Sequence, residues 1–124
     1  MASPLIQLTE CIAPFLAQVE GRGVRDRACE RSFVNALVKH VRRFHGKMLR
    51  PMLVLLSGQA CGTLHDAHVT IATVVEMVHM ATLVHDDVLD EAELRRKGAT
   101  INHLRGNEAA VLLGDYLISH SYHL

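Results

Sequence analysis

Three aspartates, Asp86, Asp87 and Asp90, lie within five residues of one another in the segment HDDVLDEAELRR. Asp86 and Asp90 are four residues apart, so in a helix they stand one turn apart on the same side. Carboxylates that close repel one another unless a positive charge lies between them. Hard divalent cations prefer carboxylate oxygens as ligands. The spacing therefore predicts a divalent-metal site at these aspartates.

Two adjacent arginines, Arg95 and Arg96, follow the aspartates directly. A guanidinium group is planar and permanently charged, and it suits a multiply charged anion such as a phosphate. Acids that hold a metal beside arginines that hold a phosphate are typical of a site for a metal–diphosphate substrate.

A second basic segment, GKMLRP, lies about forty residues upstream. Lys47 and Arg50 are three residues apart and can converge on one side of a turn. Pro51 fits the first turn of a new helix, and a helix N-terminus flanked by basic residues suits a phosphate. Taken alone, such a segment is more often an ordinary charged loop before a helix.

Helical patterns surround these residues, and no strand pattern is visible. The longest, from about Ala67 to Glu91, is apolar on most of its circumference, which predicts the central helix of an all-α bundle. Its C-terminal end carries the aspartates, where the helix dipole disfavours negative charge, and this conflict points to function. His79 lies seven residues before Asp86 and so shares its face, although a packing role is the alternative.

Shorter apolar stripes predict further helices. The first opens at Ser3 and Pro4 and is expected to end at the glycines of residues 21–23. A second runs through residues 33–44, and a last one begins near Asn107, with Glu108 in its first turn.

Composition bounds the function. The 124 residues form one domain at most, and 13 basic and 13 acidic residues give no net charge that would recruit nucleic acid. Cys11, Cys29 and Cys61 are odd in number and widely spaced, which favours reduced thiols and a cytoplasmic protein. No apolar run reaches the length of a membrane span, so no transmembrane segment is expected.

The chain resembles the trans-isoprenyl diphosphate synthases, the polyprenyl synthetase family, in the order and spacing of four features. They are GKMLRP, the helix histidine His79, HDDVLDEAELRR and NEAAVLLGDYL. The resemblance covers the chain from Gly46 to its end. It implies an all-α helical bundle of the isoprenoid synthase type, in which residues 1–124 are the incomplete, N-terminal part of a single domain.

The resemblance also implies an enzyme: a prenyltransferase that condenses isopentenyl diphosphate with an allylic diphosphate to make a polyprenyl diphosphate. The aspartates at positions 86, 87 and 90 would bind Mg²⁺, which bridges the allylic diphosphate. Arg95 would contact that diphosphate as well. The pocket for isopentenyl diphosphate would comprise Lys47, Arg50, His79 and Arg96.

Product length is implied by the same resemblance. Bulky residues just upstream of the first aspartate close the elongation tunnel in the family, but Ala81 and Thr82 are small. A product longer than farnesyl diphosphate is therefore expected. The alternative is that Ala81 is only a small helix-packing residue.

Members of the family are longer and carry a second aspartate-rich motif, which does not occur in these 124 residues. The chain is therefore expected to be a truncated and inactive fragment that exposes apolar faces and forms a homodimer or a heteromer. Two other functions remain open. One is a non-catalytic helical subunit of a prenyl synthase heteromer, and the other is an enzyme similar to a terpene cyclase.

Overall fold

The computed structural model describes residue 7 and residues 9–25, 32–44 and 46–124. In order, they form α1 (Ala13–Arg25), α2 (Ser32–Val41), a 3₁₀ turn (Arg42–Phe44), α3 (Leu49–Cys61), α4 (Asp66–Leu89), β1 (Leu94–Arg95), β2 (Gly98–Ala99), α5 (Ile101–Arg105) and α6 (Asn107–Ser121). The prediction of an all-α chain is confirmed. The sequence did not predict the small antiparallel hairpin of β1 and β2.

Helix α4 is the central element because it contributes to both apolar clusters of the core. One cluster joins α4 to α2, α5 and α6, and the other joins it to α1 and α3. The first includes Met80, Ala81, Val84, Leu37, Val41, Leu113 and Leu117. The second includes Val69, Ala72, Ile12, Val19, Met48, Leu55 and Leu64. The predicted central helix is thus confirmed, and its bounds differ from the expected ones by at most two residues.

The same helix bears on the membrane prediction. At 24 residues and a mean hydropathy of 1.5, α4 is long and apolar enough to cross a membrane on length and composition alone. A core helix of a bundle satisfies the same criterion, and α4 is packed on several sides. The expectation that the chain has no transmembrane segment therefore remains a prediction.

Helix α1 differs from its prediction. The glycines at 21 and 23 do not end it, because it continues to Arg25; the chain turns instead at Cys11 and Ile12, just before Pro14. Packing against α4 explains the difference. Arg22 forms an ion pair with Asp66 and donates a 2.6 Å hydrogen bond to Thr70 Oγ1. These contacts offset a glycine cost of about 1 kcal/mol per residue. The predicted start at Ser3 and Pro4 and the third cysteine, Cys29, lie outside the described residues.

Candidate functional site

A cleft of about 600 Å³, open mouth included, lies between the loop before α3, the C-terminal half of α4 and the β1–β2 hairpin. Four of its lining residues are permanently or ordinarily cationic, and one is a histidine. They are the predicted diphosphate-binding residues Lys47, Arg50, His79, Arg95 and Arg96. The apolar part of the lining includes Val41, Phe44, Met80, Leu83 and Val84. The structure therefore brings together basic residues that are up to 49 positions apart in sequence.

The basic loop before α3 is shaped by Met48. This residue has φ +55°, in the left-handed region, and its side chain is buried in the core. The reversal leaves Lys47 exposed at the cleft and starts α3 at the next residue. Pro51 then lies in the first turn of α3, as the sequence predicted.

Arg50 reaches across to α4. Its Nη1 lies 3.0 Å from His79 Nε2, so the guanidinium donates and the imidazole nitrogen accepts. Burial, and then the positive charges of Arg50, Arg95 and Arg96, lower the pKa of His79. A neutral ring satisfies this contact, and it leaves the charge of the arginine available for an anion.

The hairpin positions the two arginines. Arg95 pairs with Gly98 across the strands, and Arg96 and Lys97 form the two-residue turn with φ +46° and +65°. Positive φ at both turn positions matches the right-handed twist of a two-stranded hairpin. Arg96 thereby lies against Gly46, where an added Cβ would come within 3.0 Å of Arg96 Nη2. The glycine thus leaves room for the guanidinium at the cleft.

Asp87 is buried and bound by Arg95. Its Oδ1 accepts hydrogen bonds from Nε at 3.0 Å and Nη2 at 2.8 Å, and its Oδ2 lies 3.1 Å from Nε. This contact is the first cause of the raised pKa of Arg95. Of the three aspartates, Asp87 is the one that lines the cleft together with His79. The helical register explains the difference: Asp87 continues the buried face of Met80 and Val84 and pairs there with Arg95, while Asp86 remains exposed.

Asp86 and Asp90 stand exposed at the end of α4, one turn apart. Within the part of the chain that the structure describes, no group of three or more histidine, cysteine or acidic side chains is close enough to hold a metal ion. The two exposed carboxylates nevertheless provide the oxygen donors that Mg²⁺ prefers, and Mg²⁺ commonly takes only one or two carboxylates together with substrate phosphates. The donor set therefore fits such an ion.

The two predicted chain-length residues lie apart from the cleft. Ala81 is fully buried in the core beside α6, and Thr82 is exposed, with its hydroxyl donating to the carbonyl oxygen of His79 at 2.7 Å. Neither lines the cleft. A control of product length by these residues stays a prediction.

Sequence reasoning missed three polar residues at this site. Glu76, a buried acid on α4 one turn before His79, also lines the cleft. The sequence signal for Glu76 is that it is a charged residue within the otherwise apolar helical pattern of α4. Thr100 and Asn102 bond to the backbone that follows Asp90, and nothing in their local sequence distinguished them. His85, on α4, packs against α6, with its Nε2 3.1 Å from the Val111 carbonyl oxygen.

Comparison with known proteins defines the class of this fold and site. A sequence profile of the polyprenyl synthetase family matches residues 31–124. The chain therefore belongs to the polyprenyl synthetase family.

Individual relatives agree with this assignment. The octaprenyl diphosphate synthase of Escherichia coli is 37% identical over 120 residues, which is 97% of this chain and 37% of the relative. The all-trans-nonaprenyl-diphosphate synthase (geranyl-diphosphate specific) of Rhodobacter capsulatus is 45% identical over 75% of this chain and 29% of its own length. The chain thus spans well under half the length of the relatives it matches.

Solved structures show the same fold. A decaprenyl diphosphate synthase from Rhodobacter capsulatus superposes with a TM-score of 0.89 at 36% identity, over 97% of this chain and 37% of that chain. A polyprenyl synthase from Caulobacter crescentus, complexed with calcium and isoprenyl diphosphate, gives 0.90 at 28% identity, over 99% and 38%. The helical arrangement is therefore of the isoprenoid synthase type, as the sequence predicted.

Proposed function

We propose that this chain provides the diphosphate-binding part of a prenyltransferase that condenses isopentenyl diphosphate with an allylic diphosphate. The observation that carries the proposal is the cleft, in which basic residues from α3, α4 and the hairpin face one space. Two diphosphate groups require that many positive charges, and the overall neutrality of the chain means that the attraction is local.

The residues divide between two anions. Lys47 and Arg50, with His79 and Arg96, form one basic group of the cleft and suit the diphosphate of isopentenyl diphosphate. Arg95, beside Asp87, faces the end of α4 and suits the allylic diphosphate. Holding both substrates in one cleft favours the reaction because it removes the entropic cost of their encounter.

Asp86 and Asp90 would hold Mg²⁺ at the allylic diphosphate. When bound, the ion stabilises the negative charge that builds up on the diphosphate as the allylic C–O bond breaks. We assign Asp87 a different role from the one expected, because its carboxylate already holds Arg95. A relative whose structure was solved in complex with calcium and isoprenyl diphosphate supports the use of a divalent cation.

The apolar lining has its own part in the reaction. Once the allylic C–O bond breaks, the carbocation is attacked by the double bond of isopentenyl diphosphate, and loss of a proton completes the new chain. Met80, Leu83 and Val84 line the cleft beside the basic residues. Their side chains exclude water, which would otherwise capture the cation.

We further propose a product longer than farnesyl diphosphate, which the octaprenyl and nonaprenyl names of the relatives support. The burial of Ala81 makes Thr82 the better position for a test, because phenylalanine at position 81 would overpack the core.

We also propose a homodimer, which the exposed apolar side chains of Phe33 and Leu112 support. A cytoplasmic location is supported by the exposed thiols of Cys11 and Cys61.

The decisive experiment measures incorporation of labelled isopentenyl diphosphate in the presence of Mg²⁺. It compares the 124-residue chain with a chimera in which the C-terminal part of the Escherichia coli relative follows Leu124. We expect turnover by the chimera and none by the chain alone, because the relatives extend far beyond the matched part. Replacing Arg50 by Gln in the chimera should raise the KM for isopentenyl diphosphate at least tenfold, whereas Lys39→Gln, on α2, should not. A chimera that folds but shows no turnover would contradict the proposal.

Two other functions compete with this proposal. A non-catalytic subunit would need neither the basic cleft nor two exposed carboxylates beside it. An enzyme similar to a terpene cyclase would need only one diphosphate site, so the group around Lys47 and Arg50 would have no use. Incorporation of label by the chimera would exclude both.

A further inference from the structure

Asn102, on α5, contacts the backbone on both sides of the reversal that ends α4. Its Nδ2 lies 2.9 Å from the carbonyl oxygen of Ala92 and 3.2 Å from that of Asp87. Because both neighbours are carbonyl oxygens, only the NH₂ end of the amide can face them. One side chain thus joins the last turn of α4 to the segment that leaves it.

Thr100 adds to the same contact. Its side chain is fully buried, its hydroxyl donates to the Ala92 carbonyl oxygen at 2.7 Å, and its backbone N–H donates to the carbonyl oxygen of Glu93 at 3.0 Å. The Ala92 carbonyl oxygen therefore accepts two side-chain hydrogen bonds. We call Thr100 and Asn102 together the brace.

The brace holds a strained piece of backbone. Glu91 has φ +51°, and the N–H of Ala92 folds back to donate to the carbonyl oxygen of Asp87 at 2.9 Å. A left-handed conformation costs a non-glycine residue about 1–2 kcal/mol, so contacts around it must keep it in place. Asp90 directly precedes this residue, and its carboxylate depends on how the backbone turns there.

We propose that Asn102, supported by Thr100, is a positioning residue that fixes the reversal after Asp90 and so sets the direction of the Asp90 carboxylate relative to that of Asp86. The inference rests on the proposed function, because it takes Asp86 and Asp90 as ligands of a divalent cation. The Asn102 amide acts through the backbone carbonyl oxygens, not on the ion. Residues that hydrogen-bond metal ligands directly contribute ten- to a hundredfold to metal affinity, and we expect the lower end of that range here because Asn102 acts through the backbone.

The test titrates Mn²⁺ into the 124-residue chain with inorganic pyrophosphate present, measures free Mn²⁺ by electron paramagnetic resonance, and subtracts the Mn²⁺ that the same pyrophosphate binds without the chain. Asn102→Ala should weaken Mn²⁺ binding about tenfold. Its affinity for pyrophosphate without metal should stay within twofold of wild type, because Lys47 and Arg50 lie on other elements. The matched control is Asn107→Ala, at an exposed position of α6, and it should change neither affinity.

A second variant and a second measurement keep the outcome decisive. Thr100→Val removes the hydroxyl at nearly constant volume and should also weaken Mn²⁺ binding, so it decides the matter if Asn102→Ala does not fold. Hydrogen exchange at the Ala92 amide should accelerate in both variants. Wild-type affinity for Mn²⁺ in a folded Asn102→Ala or Thr100→Val chain would contradict the positioning role of the brace and leave the proposed function intact. A wild-type chain that binds no Mn²⁺ would overturn the proposed function together with it.

Discussion

Replacing Asp87 by Asn should destabilise the chain far more than the same replacement at Asp86 or Asp90. All three aspartates lie within five residues, but only Asp87 is buried and held by Arg95. The substitution keeps the shape of the side chain and removes its charge. Arg95, whose side chain is 25% exposed, then loses its anionic partner.

The size of the effect follows from the geometry. A hydrogen bond to a charged group contributes about 1.5–3 kcal/mol, and removing one partner of a buried ion pair costs about 3–5 kcal/mol. The partial exposure of Arg95 lets water replace some of the loss, and the Asn oxygen still accepts one hydrogen bond. We therefore expect Asp87→Asn to lower the free energy of unfolding by about 2–3 kcal/mol. With a urea dependence of about 2 kcal/mol per molar, the midpoint should fall by roughly 1–1.5 M.

The assay is urea unfolding of the 124-residue chain, followed by circular dichroism. Asp86→Asn and Asp90→Asn are matched controls and should change the free energy by less than about 0.5 kcal/mol. Any small change should be stabilising, since each removes a negative charge from the C-terminal end of a helix. A double-mutant cycle with Arg95→Gln should show that most of the loss at Asp87 depends on Arg95. Equal midpoints for all three Asp→Asn variants would refute the reasoning.

Three further outcomes follow from close contacts in and near the cleft. Gly46→Ala places a Cβ 3.0 Å from the Arg96 guanidinium. It should weaken pyrophosphate binding about fivefold in calorimetry, a loss of roughly 1 kcal/mol. Gly21→Ala, in open space on α1, should leave binding unchanged. His79 has a lowered pKa, so the unfolded chain binds a proton more readily than the folded one. Stability should therefore fall as the pH drops below about 6.5, and unfolding of His79→Gln should show a shallower fall. Gly114→Ala places a Cβ 2.1 Å from an imidazole nitrogen on α4 and should lower the urea midpoint by an amount equivalent to about 1–3 kcal/mol; an unchanged midpoint would contradict this packing.

Much of the fold and part of the site could be predicted because the relevant patterns are local. The apolar periodicity of α4 and the position of Pro51 in α3 depend on residues only a few positions apart. The basic residues that were predicted to bind diphosphate line one cleft, although their meeting place was inferred from resemblance and not from spacing.

The remainder depends on contacts that spacing does not encode. The hairpin of β1 and β2 has only two residues in each strand, which is too short for an alternating pattern to show. The pairing of the buried Asp87 with Arg95 depends on where that hairpin places Arg95. The continuation of α1 through Gly21 and Gly23 depends on its packing against α4. In each case a tertiary contact overrides the local preference.

Helix α4 also fixes the spacing between His79, in the basic cleft, and Asp86, a proposed ligand of the metal ion. His79 and Asp86 lie on one uninterrupted helix, so its rise of about 1.5 Å per residue separates them by roughly 10 Å along the axis. Adding a single residue between them would shift one group by about 1.5 Å and rotate it by about 100° relative to the other. No loop lies between these positions to absorb such a change. The distance and the angle between the two proposed sites are therefore fixed by the seven-residue spacing of His79 and Asp86.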